Sequence, residues 1–355
     1  MENNTEEAIA PPDAEVEKIV DTALTFERNE LSRNSFGGTE QIMERLYRDL
    51  DPELLSDFQI VPSRVRELDA TKRRVLYCHD LAEDPEAKAA IELNGSWTRF
   101  HRVVFVSHWQ RQQYFNLFKG LPPSPTTVIH NSIEPISFHE KPNDGTINLI
   151  YHTTPHRGLN ILFAAFKELY KRRQDIHLDV YSSFEIYGWG ERDKEFVELF
   201  KAIGDHPGCT YHGFKPNAEV REALKKAHIF AYPSTWMETS CIALIEAMSA
   251  GCMCVHPDLG ALPETAGNLT MMYGYHEHRE SHAMRFMGAL DVLIEQVKDS
   301  LAAGRLNAVT QEQRNYIQKY YNWETKKLHW EAFLKSINVE NREINNTYRV
   351  FKYIA

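Results

Sequence analysis

The feature that most constrains the fold is a regular alternation of short apolar runs and longer helical patterns. The β-rich runs lie at residues 22–26, 58–61, 74–78, 103–106 and 127–129, and again at 147–151, 176–181, 210–212, 229–232 and 253–256. Helical patterns lie between them at residues 40–50, 109–119, 159–172, 193–203, 218–226 and 241–250. Strands that alternate with helices form parallel sheets from right-handed βαβ units. The alternation therefore predicts an α/β protein.

A break divides the strands into two series. Residues 134–145, EPISFHEKPNDG, are rich in proline, glycine and charge, which is typical of an interdomain linker. We therefore predict two Rossmann-like doubly wound domains, at residues 16–138 and 139–324, after a disordered start at residues 1–15. Ligands of open α/β sheets bind at the carboxyl ends of the strands, so both sheets are expected to face a central cleft.

Composition narrows the classes of function. The 355 residues leave room for two domains, and the net charge of −10 argues against a nucleic-acid binder and against a protein held on anionic lipid. No run approaches the roughly 20 apolar residues of a transmembrane segment, and the acidic N-terminus does not resemble a signal or transit peptide. Five cysteines without a CxxC pair are typical of reduced, buried thiols. We expect a soluble, cytoplasmic protein.

Two carboxylates stand in the stretch PSTWMETSCIALIEAMSAG, residues 233–251. Residues 239–241 are expected to form the first turn of a short buried helix that ends at Gly251. Its unpaired amides and positive dipole would create an anion site. Glu246, among apolar neighbours, could accept hydrogen bonds from a diol such as a ribose, or could form a buried salt bridge with an arginine or lysine. A second carboxylate, Glu238, lies at the mouth of the same helix, and it favours the diol ligand over the salt bridge as the partner of Glu246.

The segment PSTWMETSCIALIEAMSAGCMCV resembles the EX7E signature of the retaining glycosyltransferases of family 4, the glycogen-synthase and sugar-transferase superfamily, which have the GT-B fold. Other segments resemble that family in the same order, over residues 34–334: NSFGGTE, VLYCHDL, VVFVSHWQRQQ, TTVIHNSIE, HRGLNILFAAFKEL and YYNWETKKLHWEAFL. The last is similar to the helix that leads the chain back to the first domain, which implies a return segment at residues 325–355. The resemblance implies a metal-independent transferase that moves a sugar, with retention, from a UDP- or GDP-sugar or similar donor to a hydroxyl of a glycan or glycoconjugate.

The resemblance also implies roles for single residues. Glu238 would orient the transferred sugar, His79 would lie near the sugar and the acceptor, and Arg157 would bind the departing diphosphate. The residues implied in donor binding are Gly37, Gly38, Thr153, Thr154, Ser182, Phe214, Thr239, Ser240, Cys241 and Glu246. Among them, the two glycines would let the backbone approach the pyrophosphate, and Glu246 would bind the ribose.

The chain departs from the family pattern around the expected phosphate site. The family usually has an arginine and a lysine there, but Arg157 takes the lysine position and Thr153 or Thr154 the arginine position. The usual GDG after the next strand is replaced by VYSSFE, residues 180–185, where Ser182 would line the base pocket. These departures keep two alternatives open: a catalytically inactive module that binds nucleotide sugars, and a GT-B epimerase.

Three polar runs resemble metal or phosphate motifs, but each is more typical of an ordinary loop or helix end, so none of them is a candidate site. HEHRESH, residues 276–282, is typical of a solvated loop, and DLD, residues 49–51, of the end of a helix. KRR, residues 171–173, is typical of the cationic C-terminus of a helix. The resemblance implies no metal and no cofactor, and it implies a nucleotide-sugar donor and a glycan acceptor as partners. The oligomeric state is left open.

Overall fold

The computed structural model describes residues 37–63, 68–85, 88, 96–123 and 125–338. The predicted disordered start, the predicted strand at residues 22–26 and the end of the predicted return segment, residues 339–355, lie outside the described residues.

Within the described residues, the first sheet has four parallel strands in the order β1-β2-β3-β4. They are β1 (Phe58–Pro62), β2 (Arg73–Cys78), β3 (Arg102–Phe105) and β4 (Thr126–Val128). The helices around this sheet are α1 (Gly38–Asp49), α2 (Pro52–Ser56) and α3 (His108–Leu117). Side chains of β2 alternate between two apolar clusters, with Val75 and Tyr77 on one face and Leu76 and Cys78 on the other. Both faces of the sheet are therefore covered.

The second sheet has six parallel strands in the order β10-β9-β8-β5-β6-β7. They are β5 (Ile147–Tyr151), β6 (Ile176–Val180), β7 (Cys209–Tyr211), β8 (Ile229–Ala231), β9 (Met253–Pro257) and β10 (Met271–Tyr273). The helices that follow these strands are α4 (Leu159–Tyr170), α5 (Val197–Gly204), α6 (Asn217–Lys226), α7 (Ile242–Ser249), α8 (Leu262–Ala266) and α9 (Arg279–Ala302). The strand order reverses next to β5, which is the kind of position where doubly wound sheets bind ligands.

The chain crosses between the two sheets twice, and the crossings lie side by side. Ile133, which follows β4, pairs with Asn322 in an isolated parallel bridge. Two short helices, α10 (Leu306–Val309) and α11 (Gln311–Tyr320), lead to this point, and the long helix α12 (Trp323–Asn338) follows it. Trp323 and Trp330 of α12 are buried in an apolar cluster of the first sheet. The last described helix therefore packs against the first sheet, although it follows the second sheet in the chain.

The α/β fold with parallel sheets is confirmed. Nine of the ten predicted strands are described, and each agrees with its prediction to within one residue at either end. The pattern at 193–203 forms a 3-10 helix, Gly190–Phe196, followed by α5. Strand β10 and helix α9 were not among the predicted elements. None of the described helices combines the length and the apolar character needed to cross a bilayer. All five cysteines are buried and free.

Candidate active site

A cleft of about 1410 Å³ lies between the two sheets, with walls from both. Eleven of the thirteen sequence-predicted site residues line it: Gly38, His79, Thr153, Thr154, Arg157, Phe214, Glu238, Thr239, Ser240, Cys241 and Glu246. Gly37 and Ser182 do not. The fold thus brings together residues that are up to 208 positions apart in the chain (38 to 246).

Glu238 and Arg157 form an ion pair in this cleft. Arg157 Nη1 lies 2.7 Å from Glu238 Oε1, and the Tyr232 hydroxyl donates to the same oxygen. Only 20% of the Arg157 side chain and 6% of the Glu238 side chain is exposed. Burial alone lowers the pKa of Arg157, but the Glu238 carboxylate beside it raises that pKa well above its usual value. Two of the three predicted catalytic side chains, Arg157 and Glu238, therefore hold each other in place as a charged pair.

Two glycines fix the loops that carry this pair. Gly158, after the 3-10 turn Pro155–Arg157, has φ +109°, and a Cβ there would lie 2.1 Å from the Pro233 carbonyl oxygen. Gly260 has φ +62°, and a Cβ there would lie 2.7 Å from both the nitrogen and the oxygen of Glu238. The next amide, of Ala261, donates to the Glu238 carbonyl at 2.7 Å. Left-handed backbone and close contact both require glycine, so these loops are packed backbone against backbone.

The predicted anion site needs a correction in its boundaries. Helix α7 begins at Ile242, so residues 239–241 form the loop before the helix and not its first turn. Cys241 is the N-cap residue and makes no conventional side-chain capping bond; its sulfur, a weak acceptor, lies beside the amides of Ala243 and Leu244. The Thr239 hydroxyl donates to the His79 carbonyl at 2.7 Å and links the loop to the first sheet. An anion in the cleft would meet the amides of the first turn of α7 and Arg157 together.

Glu246 of α7 is almost fully buried and has protein partners. Arg221 Nη1 lies 2.9 Å from Glu246 Oε1, and Asn217 Nδ2 lies 3.2 Å from each carboxylate oxygen. The salt bridge considered as one reading of this glutamate is therefore present, and the carboxylate also lines the cleft. Arg221 Nη2 donates to the Glu134 carbonyl at 2.7 Å, where the chain leaves the first sheet. Sequence reasoning missed Arg221, because no pattern relates it to a partner 25 residues away.

His79 follows β2 and points at the cleft. Its ring packs edge-on against Tyr77 with 4.2 Å between centroids, and its amide donates to the Ser63 hydroxyl at 2.6 Å. Within the described part of the chain its buried Nε2 has no hydrogen-bond partner. Burial lowers the pKa of His79 to about 3, so the imidazole is neutral near pH 7. A neutral imidazole can position a hydroxyl, but it carries no charge toward a phosphate.

The two predicted residues outside the cleft require corrections. Ser182 is 2% exposed and donates to the Thr153 carbonyl at 2.7 Å, so its hydroxyl ties two loops together and does not line a base pocket. Gly37 is buried as the N-cap residue of α1, where a Cβ would lie 2.6 Å from a ring carbon of Tyr187. The observed reason for a small residue there is the approach of Tyr187 from the second sheet. At Gly38, which does line the cleft, a Cβ would lie 2.9 Å from Ile242 Cδ1.

The histidine-rich run at residues 276–282 is only partly a loop. His278 is exposed, but Arg279 begins α9, and His282 is buried with Nε2 3.3 Å from the Pro233 carbonyl. In the DLD run, Asp51 caps α2 and Asp49 ends α1, in agreement with the helix-end reading. In the KRR run, Arg172 and Arg173 lie just past the end of α4 and pair with acidic groups of α9.

A different set of possible metal-binding groups is formed by residues that the sequence analysis did not select. His108, His130 and Glu264 have ligand atoms within 4.8 Å of one another. The Glu264 carboxylate already accepts from the amides of His108 and Trp109, and His130 Nε2 lies 2.8 Å from it. Burial tends to raise the pKa of Glu264, but these bonds hold it below its usual value. Glu264 therefore caps α3 from the second sheet and joins the two halves of the molecule.

Comparison with known proteins agrees with this architecture. Residues 134–303 match a family model described as glycosyl transferases group 1. A glycosyltransferase of Rickettsia africae superposes with a TM-score of 0.60 at 14% identity, over 87% of this chain and 84% of that chain. HepE of Anabaena, solved in complex with UDP and glucose, superposes with a TM-score of 0.57 at 15% identity, over 75% and 72% of the two chains. This chain has the GT-B fold.

Curated proteins also resemble this chain in sequence. It is 24% identical over 245 residues to one of the subunits of human phosphatidylinositol N-acetylglucosaminyltransferase, covering 68% of this chain and 47% of the relative. It is 22% identical over 281 residues to lipopolysaccharide 1,2-N-acetylglucosaminetransferase of Salmonella typhimurium, covering 74% and 70%. This chain thus spans about half the length of the human relative.

Proposed function

We propose that the protein is a retaining glycosyltransferase that uses a nucleoside diphosphate sugar and an acceptor hydroxyl. One observation carries the proposal. Along a single loop and helix, the cleft presents a carboxylate beside an arginine, then the first amides of a helix, then a second carboxylate, at Glu238, Cys241 and Glu246. This order matches the parts of such a donor, which are a sugar, a diphosphate and a ribose.

The donor diphosphate would lie between Arg157 and the first amides of α7. Both groups favour a dianionic phosphate, and bidentate contact with arginine is strong. Because Arg157 is paired with Glu238 before any ligand binds, the incoming phosphate would share or take over its guanidinium. Glu238 would then be free to accept hydrogen bonds from the hydroxyls of the sugar.

Glu246 would accept hydrogen bonds from the ribose diol. Arg221 and Asn217 hold its carboxylate from one side, and the cleft borders the other. A carboxylate fixed in this way loses little conformational freedom when the ribose binds. Arg221 would therefore act as a positioning residue for Glu246.

Transfer would proceed on one face of the sugar. The bond between the anomeric carbon and the β-phosphate oxygen breaks, and the acceptor oxygen bonds to that carbon from the same side. The acceptor proton passes to an oxygen of the departing phosphate. The Tyr232 hydroxyl also donates to Glu238. A carboxylate that is engaged in this way is suited to orienting sugar hydroxyls and is a weak nucleophile. Amides and Arg157 aimed at the developing negative charge would supply most of the rate enhancement without a metal ion.

The relatives suggest the first donors to test. The human and Salmonella proteins are both named as transferases of N-acetylglucosamine, and HepE was solved with UDP. We therefore propose UDP-linked N-acetylhexosamines and hexoses as the first donors in a screen, with GDP-sugars as the comparison set.

A thermal-shift screen followed by a transfer assay tests the proposal. A ligand at about 100 times its dissociation constant stabilises the folded state by about 2.7 kcal/mol, which gives a clear rise in melting temperature. The positive donors are then incubated with glycan acceptors, and the anomeric configuration of the product is read by NMR. Glu246→Gln, which should weaken the binding of every nucleotide, is the matched control variant. If no nucleotide sugar raises the melting temperature, the proposal is wrong.

The inactive binding module is a second candidate, favoured by one observation. Arg157 stands where the family usually has two cations, and its charge is already engaged by Glu238. A protein of this kind would bind a nucleotide sugar in the thermal-shift screen. It would neither transfer the sugar nor hydrolyse the donor on long incubation, which separates the two candidates.

A further inference from the structure

The loop after β6 builds an aromatic surface along one wall of the cleft. It contains two 3-10 turns, Phe184–Tyr187 and Gly190–Phe196, in place of the short GDG turn expected from the family. Trp189 of this loop and Trp236 of the loop after β8 line the cleft with 41% and 43% of their surface exposed. Large aromatic side chains left exposed inside a cleft indicate a binding surface for a ligand.

Five rings and one guanidinium form a continuous series, which we call the aromatic wall: Trp236, His156, Phe184, Arg192, Trp189 and Tyr187. The His156 ring lies 5.4 Å from Trp236 and is stacked 5.1 Å from Phe184. Arg192 lies over both Phe184 and Trp189, at 4.5 and 5.4 Å from the ring centres. The Trp189 and Tyr187 rings are 5.2 Å apart. The series is therefore continuous, with Phe184, 2% exposed, behind it and with Trp189 and Trp236 as its exposed rings.

The wall is held rigid by its own loop. The Asp193 carboxylate accepts a hydrogen bond from the Ser183 hydroxyl and another, at 2.8 Å, from the Phe184 amide. Gly188 ends the first turn with φ +70°, and its amide donates back to the Glu185 carbonyl at 2.8 Å. A rigid aromatic surface binds a flat partner with little loss of conformational entropy.

The position of the wall decides which part of a substrate it would meet. Tyr187 accepts a hydrogen bond from Arg157 Nη2 at 3.4 Å, and Trp236 lies two residues before Glu238. The wall thus borders the end of the cleft that holds the Arg157–Glu238 pair. Glu246 is held by Arg221 and Asn217 of α6, the helix that follows β7. The wall is therefore beside the two side chains that are proposed to meet the reacting sugar.

We infer that the aromatic wall binds a pyranose ring of the acceptor. One face of a pyranose carries C–H groups that pack against an aromatic ring, while its hydroxyls point outward to polar partners. Arg192 sits between the rings with a guanidinium that can donate to those hydroxyls or to an acidic substituent. The inference rests on the proposed function, and it adds that the acceptor presents a sugar ring at its binding end.

The test compares two kinds of ligand on the same intact protein. Isothermal calorimetry measures UDP and GDP binding, and saturation-transfer NMR measures binding of the methyl glycosides of glucose, N-acetylglucosamine and mannose in the presence of the bound nucleotide. At least one glycoside should show saturation transfer. Trp189→Ala and Trp236→Ala should each weaken it about tenfold, since each loses one stacking contact, while nucleotide affinity stays within about twofold.

Two further variants serve as controls for a purely structural effect of the tryptophan substitutions. Trp189→Tyr keeps a stacking ring and should retain most glycoside binding, which a merely structural role of the loop would not predict. Tyr320→Ala removes an exposed aromatic ring of α11 outside the cleft and should change neither ligand. Far-ultraviolet circular dichroism confirms that each variant is folded.

Three outcomes would overturn the inference. The first is the absence of saturation transfer from every glycoside while nucleotide binds, and the second is glycoside binding that does not respond to either tryptophan variant. In the third, the tryptophan variants weaken UDP or GDP binding, which would assign the wall to the nucleobase. If no nucleotide binds at all, the proposed function fails first, and this inference fails with it.

Discussion

The ion pair between Arg157 and Glu238 allows structural and catalytic roles to be separated by a double-mutant cycle. The pair is 2.7 Å long, with 20% and 6% of the two side chains exposed. Removing one partner of a buried pair typically costs about 3–5 kcal/mol, because the other charge stays buried without a counterion. We expect Arg157→Met and Glu238→Gln each to lose about this much stability. The double variant, which keeps no charge, should lose only about 1–3 kcal/mol.

Calorimetry and kinetics on the same four proteins complete the measurement. A loss of about 3–5 kcal/mol corresponds to a fall of roughly 4–7 °C in melting temperature for a chain of this size. Donor turnover should follow a different pattern and stay low in the double variant. Loss of a charge-assisted contact to the leaving phosphate costs about 2–4 kcal/mol of transition-state stabilisation, or roughly 30- to 1000-fold in kcat.

Two results would refute this reasoning. If the stability losses of the single variants simply add in the double variant, the two side chains do not interact as the structure shows. If Arg157→Met transfers sugar at the wild-type rate, Arg157 does not contact the diphosphate. Arg157→Lys provides a graded control, since it keeps the charge but loses the planar two-nitrogen contact and should recover only part of the rate.

Three further predictions follow from the site. Glu246→Gln should raise the donor KM about tenfold with little change in kcat, because a ribose contact is equal in the ground and transition states; lost kcat at unchanged KM would contradict it. Transfer should survive excess EDTA, since amides and Arg157 face the diphosphate; loss of activity that Mg²⁺ or Mn²⁺ restores would show a required metal. Burial lowers the pKa of His79 to about 3 and that of His152, His156 and His256 to about 4. The unfolded chain takes up protons at these groups below about pH 6.5 while the folded chain does not, so the melting temperature should fall from pH 7 to pH 4. A flat profile would contradict that assignment.

Local pattern was enough for the strands and for the two glutamates. The apolar runs defined β5 and β8, and a carboxylate inside an apolar helix marked Glu246 as unusual. Partners that meet only in the folded chain could not be predicted. Examples are the salt bridge between Arg221 and Glu246 and the hydrogen bonds from the first amides of α3 to Glu264. Ser182 was misplaced because the family turn used to place it is replaced here by a longer loop. Helix α9 was missed although its buried residues, such as Phe286, Leu290 and Leu293, recur at helical spacing.

The glycines behind the ion pair determine which parts of the cleft can change. Any side chain at residue 260 would meet the backbone of Glu238, and any side chain at residue 158 would meet the Pro233 carbonyl. Neither glycine lines the cleft. In a saturation-mutagenesis experiment selected for activity, these two positions should be as intolerant as Glu238 itself. Trp236, with 43% of its surface exposed, should accept many replacements that alter substrate choice. Changes in specificity are thus expected in exposed side chains such as Trp236, while the backbone contacts at these two glycines stay constant.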